Sequence, residues 1–141
     1  MATPDTIDLL GICASPRQGN TLFLLQKALA VASTFPESGR VAAELIELRA
    51  RRIGACTGCE ACARMKGECV ISDDFQAIRN HWVKADVVLY ATPVYHLGIP
   101  GQLKCFIDRL GNSQRKAHEV PSPRRLKVSV TSWIQASFSE P

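Results

Sequence analysis

A short polar segment, residues 15–21, joins two strongly patterned stretches of this chain. The stretch before it, residues 7–13, is almost continuously apolar, which is typical of a strand buried on both faces. The stretch after it repeats leucine at helical spacing, at Leu22, Leu25 and Leu29. The pattern therefore predicts a buried strand that turns directly into a helix, a unit usually found in parallel sheets.

The turn at residues 15–21 has the composition of an anion-binding loop. The first N–H groups of a helix have no partner within the helix and carry partial positive charge, so they attract anions. Ser15, Asn20 and Thr21 add hydrogen-bond donors, and Arg17 adds a charge. A phosphate monoester would suit these residues, and an ordinary turn capped by Asn20 or Thr21 explains them equally well. The lysine of a Walker loop and the spaced glycines of a dinucleotide fingerprint are both missing.

Strand and helix patterns alternate along the rest of the chain. Further strands are predicted at 41–48, 86–91 and 126–133, with helices before and after the third strand. Asp73 and Gln76 are spaced as in a capping box at the start of the helix before that strand. This alternation predicts an α/β domain with parallel strands and right-handed crossovers. In the strand order 2-1-3-4, the first and third strands are neighbours and the loops after them face one crevice.

The loop after the third predicted strand contains Pro93, Tyr95, His96 and Gly98. Proline and glycine shape a backbone that a flat ligand can approach, and Tyr95 or His96 can lie against its ring. Alone, the loop is better read as carrying an incidental aromatic residue. Opposite a phosphate-type turn, it predicts a planar ligand with a phosphate tail, and FMN has that shape.

Four of the six cysteines fall within fourteen residues, at Cys56, Cys59, Cys62 and Cys69. Four thiolates at such spacing can wrap one cuboidal iron–sulfur cluster. Zinc also accepts four thiolates, more often from two separated pairs, and reduced thiols without a metal are a third interpretation. The two other cysteines lie in a predicted strand and a predicted helix, and both are predicted to be buried thiols.

Charge and hydropathy argue against several classes of partner. The net charge is +4, with basic residues concentrated in 115–127, which is too little to predict a nucleic-acid face. No apolar run approaches the ~18 residues of a membrane span, so no membrane association is expected. The first five residues carry no basic segment typical of a signal peptide. Six cysteines without a secretion signal favour a reducing compartment, and we expect a cytoplasmic protein.

Three sets of motifs together resemble the NAD(P)H-dependent FMN reductase family, in particular its iron–sulfur flavoprotein branch. They are S-P-R-x-G-N-T at 15–21, C-x-G-C-x2-C-x6-C-x3-D-D at 56–74, and A-D-x5-T-P-V-Y at 85–95 followed by Q-L-K-x-F-I-D-R at 102–109. The resemblance covers residues 7–111. It implies a flavodoxin-like, doubly wound parallel sheet, bound FMN, NAD(P)H as co-substrate and a homo-oligomer.

The resemblance also implies roles for individual residues. Those that hold the FMN phosphate are Ser15, Arg17, Asn20 and Thr21. Those that border the isoalloxazine ring are Pro93, Val94, Tyr95 and His96. The ligands of a [4Fe–4S] cluster are Cys56, Cys59, Cys62 and Cys69. No catalytic side chain is assigned, because the flavin carries the hydride chemistry.

The sequence departs from the family pattern near its end. Family members continue past the fourth strand with a third flavin-contacting loop, a helix and a fifth strand, whereas this sequence stops at Pro141. We therefore expect one flavodoxin-like domain over residues 1–141, with a cysteine-rich insertion at 56–69. Its sheet is expected to have four strands in the order 2-1-3-4, with the fifth strand missing.

The expected function is an FMN-dependent NAD(P)H oxidoreductase of the flavin or quinone reductase type. It would pass electrons, through the iron–sulfur cluster where one is present, to a small-molecule acceptor or a redox protein. The alternative is a non-enzymatic flavin and iron–sulfur electron-transfer protein. A third possibility is a truncated chain that folds poorly and binds nothing.

Overall fold

A parallel sheet lies at the centre of the computed structural model, which describes residues 6–34, 40–116 and 129–134. The elements are β1 (Ile7–Cys13), α1 (Asn20–Thr34), β2 (Val41–Glu47), α2 (Ala61–Arg64), α3 (Phe75–Lys84), β3 (Val87–Pro93), α4 (Gly101–Lys116) and β4 (Ser129–Ile134), with a 3₁₀ turn at Leu48–Ala50. The described strands lie in the order β2-β1-β3-β4. Every neighbouring pair is parallel.

The predicted α/β architecture with parallel strands is confirmed, and the element boundaries shift by a few residues. The second strand ends at Glu47, because Leu48 already begins the 3₁₀ turn. The third strand extends to Pro93, which was expected to lie in the loop. The number of strands in a complete sheet, and hence the missing fifth strand, stays a prediction.

Both faces of the sheet are covered, which explains the continuous apolar character of β1. On one face, Leu10 and Ile12 belong to a core that α3 and α4 complete. Phe75 and Phe106 meet there with their ring centroids 5.7 Å apart. On the other face, Cys13 packs in a second core with the leucines of α1. Successive β1 side chains thus alternate between two cores, as the pleat of a strand requires.

Helix α1 approaches β1 closely because Gly11 has no side chain. A Cβ at this position would stand 2.7 Å from Cδ1 of Leu29 and 3.3 Å from Cδ1 of Leu25. The first of these distances is well inside van der Waals contact. The small residue therefore lets α1 lie directly on the strand that leads into it.

Within the described ranges, no helix is long and apolar enough to cross a membrane. Helices α1 and α4 have 15 and 16 residues.

We expect Gly11→Ala to lower the free energy of unfolding by about 1–3 kcal/mol, because the added methyl group overpacks the contact with Leu29. Gly111→Ala is the matched control, since a Cβ at Gly111 meets nothing within 4 Å. Alanine there should stabilise α4 by up to about 1 kcal/mol. Urea unfolding of both variants and the parent measures these differences. A Gly11→Ala variant as stable as the parent would show that α1 can move away without cost.

Candidate functional site

The two loops predicted to bind a ligand follow neighbouring strands, β1 and β3, and begin at the same level of the sheet. Strands β1 and β3 pair in parallel, with Cys13 opposite Ala91. The N–H of Ala14, one residue after β1, donates to the carbonyl oxygen of Ala91 at 2.8 Å. The turn at 15–21 and the loop after Pro93 therefore both start at the carboxyl edge of the sheet, on adjacent strands. This is the edge at which parallel α/β sheets bind their ligands.

The first of these loops is shaped by Ser15. Its side chain is buried, and its hydroxyl donates to the carbonyl oxygen of Arg17 at 2.8 Å. The N–H of Arg17 donates back to the Ser15 oxygen at 3.3 Å. The hydroxyl was predicted to be a ligand donor, and in this structure its hydrogen bond holds the turn itself. Arg17 is exposed beside it.

Helix α1 begins immediately after this turn. The first hydrogen bond of the helix runs from the N–H of Phe23 to the carbonyl oxygen of Gly19, at 3.0 Å. The N–H groups before Phe23 in the first turn have no carbonyl partner within the helix. Thr21 is 8% exposed and Asn20 is exposed at the start of the helix. The turn thus presents backbone donors and the positive end of the helix dipole at the edge of the sheet.

The second loop carries a tight two-residue turn. Tyr95 and Gly98 exchange two backbone hydrogen bonds of 2.9 Å each. Between them His96 and Leu97 have φ values of 44° and 62°. Two central residues with positive φ define a turn of type I′, which normally takes glycine or asparagine. Holding two bulky residues in the left-handed region costs of order 1–3 kcal/mol each, and such strain concentrates at functional sites.

The residues of this loop differ in their exposure. Pro93 is buried at the end of β3, and Val94 is half-buried after it. Tyr95 is 40% exposed, and His96 is exposed at the tip of the turn. The side chains that were predicted to border a planar ligand are therefore accessible at Tyr95 and His96, while Pro93 belongs to the sheet.

The four clustered cysteines line one cavity of about 80 Å³. They are Cys56, Cys59, Cys62 and Cys69. The opposite wall is formed by α4, which contributes Arg109, Asn112 and Ser113. The structure thus brings together all four cysteines that the sequence predicted to act as one set.

Two of these cysteines accept hydrogen bonds from side chains of α4. The Nη2 of Arg109 lies 3.2 Å from Sγ of Cys69, and the Nδ2 of Asn112 lies 3.4 Å from Sγ of Cys56. The Sγ of Cys62 lies 3.9 Å from the carbonyl oxygen of Asn112. Helix α4 therefore contacts three of the four sulfur atoms.

The fourth cysteine, Cys59, is exposed and is served by its own loop. Hydrogen bonds from the N–H of Ala61 and from the hydroxyl of Thr57 lower the pKa of the Cys59 thiol. The preceding Gly58 has a φ of 67°, and Glu60 has a φ of 56°. These left-handed residues turn the backbone sharply around Cys59.

In the part of the chain that the structure describes, no three His, Cys, Asp or Glu side chains are gathered closely enough to hold one metal ion. The four sulfur atoms share a cavity without converging on a single point. The identity of a bound metal, or its absence, therefore stays a prediction.

A buried ion pair that sequence reasoning had not assigned anchors the cysteine-rich loop. The Nη1 of Arg109 lies 2.5 Å from Oδ2 of Asp73 and 3.2 Å from the carbonyl oxygen of Gly54. The Arg109 side chain is only 1% exposed. Its guanidinium carbon lies 4.2 Å from the centroid of the Phe75 ring. One arginine thus ties both ends of the loop to α4.

Asp73 completes this anchor from the other side. Its Oδ2 accepts the N–H of Gly54 at 2.8 Å, and its Oδ1 accepts the N–H of Phe75 at 3.0 Å. Burial raises the pKa of the carboxyl group, but the bonds from Arg109, Gly54 and Phe75 outweigh burial, and the pKa lies below its ordinary value. Asp73 is therefore held as a carboxylate.

The predicted capping box is wrong for Gln76, although Oδ1 of Asp73 does accept the N–H of Phe75 at the start of α3. Asp74 occupies the N-cap position of α3 and makes no side-chain capping bond. The Oε1 of Gln76 instead accepts the N–H of Cys69 at 3.1 Å. Asp73 is thus shared between the start of α3 and the loop, whereas the Gln76 oxygen satisfies a backbone N–H of the loop. Both residues therefore support the cysteine loop.

The two cysteines outside the cluster differ from each other. Cys13 is 1% exposed, and burial raises the pKa of its thiol, so the prediction of a buried thiol is confirmed there. Cys105 on α4 is only partly buried, so the same prediction is wrong at that position. Helical periodicity places Cys105 beside the buried Phe106, at the margin of the apolar face.

Replacing Asp73 with asparagine should destabilise the protein by about 3 kcal/mol at neutral pH, because a buried guanidinium loses its counter-charge. The lowered pKa of Asp73 means that its contribution is complete above about pH 4 and is lost as the pH falls through the folded-state value. The stability difference between parent and Asp73→Asn should therefore shrink below about pH 4. Urea unfolding at several pH values measures it.

Asp108→Asn provides the matched control for that comparison. Asp108 pairs with Lys104 on the surface of α4, and its side chain is 45% exposed. An exposed pair contributes at most about 1 kcal/mol. Equal losses in the two variants would show that the Arg109 pair does not anchor the loop.

Comparison with known proteins gives the family of this chain. The sequence profile of the NADPH-dependent FMN reductase family matches residues 7–122. An iron-sulfur flavoprotein of Archaeoglobus fulgidus is 37% identical over 102 residues, which cover 72% of this chain and 44% of that protein. An iron-sulfur flavoprotein of Methanocaldococcus jannaschii is 36% identical over 102 residues, covering 72% of this chain and 50% of that protein. The chain thus spans about half the length of the curated relatives it matches.

Solved structures agree on the fold. A flavone reductase superposes with a TM-score of 0.59 at 26% identity, covering 90% of this chain and 42% of that one. The flavodoxin-like α/β fold predicted from the sequence is therefore confirmed. The profile match, the sequence identities and the fold point the same way, and this chain belongs to the NADPH-dependent FMN reductase family.

Proposed function

We propose that this chain binds FMN and belongs to an oxidoreductase that uses NAD(P)H. One observation carries the proposal: a donor-rich turn at the start of α1 and an exposed aromatic turn leave adjacent parallel strands at the same level. A ligand with a phosphate at one end and a flat ring at the other could reach both loops from the carboxyl edge. Membership of the FMN reductase family supports the same ligand.

The turn at 15–21 would hold the phosphate. The donors there suit a dianion, because they combine the N–H groups of the first turn of α1 with the hydroxyl of Thr21 and the charge of Arg17. Asn20 adds an exposed amide. Ser15 would act mainly by holding the turn in shape, since its hydroxyl is bonded to the carbonyl oxygen of Arg17.

The loop after β3 would lie along the ring. FMN, when bound, supplies the redox chemistry, taking a hydride from NAD(P)H and passing electrons to an acceptor. Tyr95 and His96 would border the ring with Pro93 and Val94 behind them. The type I′ turn keeps the tip in one conformation, and this would orient the ring and limit its contact with water.

The cysteine cavity would hold a [4Fe–4S] cluster. Four cysteines line it, a ligand set that suits iron–sulfur clusters, and Glu60 lies on the same wall. In a cuboidal cluster each thiolate binds a different iron, so the sulfur atoms need not converge on one point as they do around zinc. Two sulfur atoms also accept N–H donors, as is common for cluster ligands. The competing interpretations are a zinc ion in this cavity and four reduced thiols without a metal.

The second candidate function is electron transfer without a nicotinamide substrate, and the cysteine cavity is the observation that favours it. A cluster and a flavin in one chain can exchange single electrons with a redox protein. In either case, we propose a small-molecule acceptor or redox protein as partner, a homo-oligomer, and a cytoplasmic location.

Thr21→Val should weaken FMN binding roughly 10-fold or more, because a hydrogen bond to a charged phosphate contributes about 1.5–3 kcal/mol. Valine keeps the branched shape of this buried side chain. Riboflavin, which lacks the phosphate, should bind parent and variant equally. Thr34→Ala, at the other end of α1, is the control and should change neither affinity. Fluorescence titration with both flavins measures this, and an unchanged FMN affinity would contradict the phosphate assignment.

Stopped-flow mixing of the FMN-loaded chain with NADPH or NADH should bleach the flavin absorbance faster than the same mixing with free FMN. The reason is that a bound ring is held in one orientation for hydride transfer. Dithionite gives the full amplitude of reduction as a reference. If dithionite bleaches the flavin and neither nicotinamide does so above the free-FMN rate, the reductase proposal fails and electron transfer replaces it.

A further inference from the structure

One face of α4 supplies polar groups to the cysteine cavity. Asn112 and Ser113 follow Arg109 by three and four residues, so both lie on the same side of the helix as Arg109. Arg109 and Asn112 each direct a side-chain N–H at a different sulfur atom. Ser113 is buried and instead accepts the Nε–H of Arg79 at 3.1 Å, which fixes α4 against α3. The donors are thus mounted on an element that is held rigidly.

Asn112 contacts two cysteine sulfur atoms, whereas Arg109 contacts one. Its Nδ2 lies 3.4 Å from Sγ of Cys56, and its backbone carbonyl oxygen lies 3.9 Å from Sγ of Cys62. These two cysteines precede it by 56 and 50 residues, so the contacts depend on the tertiary fold. Arg109 shares its donors between Cys69 and Asp73, and its buried Nε has no hydrogen-bond partner among the described residues. Arg109 therefore both anchors the loop and keeps positive charge beside the sulfur atoms.

We propose that Asn112 and Arg109 are positioning residues that make a cluster in this cavity easier to reduce. The inference rests on the proposed function, in its assignment of a [4Fe–4S] cluster to the four cysteines. Reduction adds one electron from a reductant such as dithionite, and no bond to either side chain forms or breaks. The added negative charge is shared with the cysteine sulfur atoms, and N–H donors stabilise it more than they stabilise the oxidised form. Hydrogen bonds to sulfur are among the means by which proteins set such potentials.

The test compares Asn112 variants of the full chain after anaerobic reconstitution with iron and sulfide. Asn112→Ala removes the donor, and Asn112→Asp replaces it with an acceptor. Gln102→Ala is the matched control, because Gln102 is an amide on the same helix that donates to the carbonyl oxygen of Arg51 instead of to sulfur. Iron per chain and the midpoint potential, from a dithionite titration followed by electron paramagnetic resonance, are the readouts.

Asn112→Ala should keep the iron content of the parent and show a more negative midpoint potential, and Asn112→Asp should be more negative still. Gln102→Ala should match the parent in both readouts. Arg109→Lys should also lower the potential, but its ion pair with Asp73 makes misfolding a risk, so the Asn112 pair decides the question. Neither readout depends on NAD(P)H turnover.

The outcomes separate the two proposals. Full iron content with the same potential in the parent and both Asn112 variants overturns the tuning role and leaves the cluster assignment standing. A parent that takes up no iron, or holds zinc instead, overturns the cluster assignment and the tuning role with it. Loss of iron in Asn112→Ala at unchanged potential of the remaining cluster shows a purely structural residue, which also overturns the inference.

Discussion

The position of β1 between β2 and β3 is the constraint on which the rest of this structure depends. As an inner strand of the sheet, β1 is bonded on both edges and packed on both faces, and Ile12 is completely buried. Because its neighbours run parallel to it, all three strands end at one edge of the sheet. The turn at 15–21, the cysteine-rich loop and the turn at 95–98 follow the ends of β1, β2 and β3. A single pairing pattern therefore brings every candidate ligand-binding segment to one side of the molecule.

The cysteine-rich loop needs more than the sheet to hold its shape. It is long and contains only the four-residue helix α2, so its own secondary structure cannot fix it. The buried pair of Arg109 and Asp73 replaces that missing support, and Arg109 also bonds the carbonyl of Gly54 and the sulfur of Cys69. A buried pair is weak evidence for stability in itself, since both ions lose hydration. Its value here is geometric, because it fixes two distant points of the loop on α4.

The two candidate sites differ in which hydrogen bonds hold their backbone in place. In the aromatic turn, His96 and Leu97 are held in the left-handed region by hydrogen bonds between Tyr95 and Gly98. In the cysteine loop, side chains from a distant helix impose the order. A turn held by local bonds can stay in one conformation at an exposed tip, whereas a loop held by α4 couples the cysteines to the packing of the domain. The proposed flavin and cluster sites would therefore respond differently to mutations in the core.

Local patterns in the sequence determined the elements and the candidate ligands. The apolar run of β1 and the leucine spacing of α1 report burial directly, and the spacing of Cys56, Cys59 and Cys62 marks one set of candidate ligands without reference to the fold. The same reasoning missed the roles of Asp73 and Arg109, although both stood in motifs that carried the family resemblance, because no local rule relates residues 36 positions apart. It also assigned Gln76 to a capping box. Sequence spacing shows which hydrogen bonds a side chain could form, but it does not show that the N–H of Cys69 would be the partner of Gln76. Only the tertiary structure decided those points, because packing α4 against the loop determines which polar groups meet.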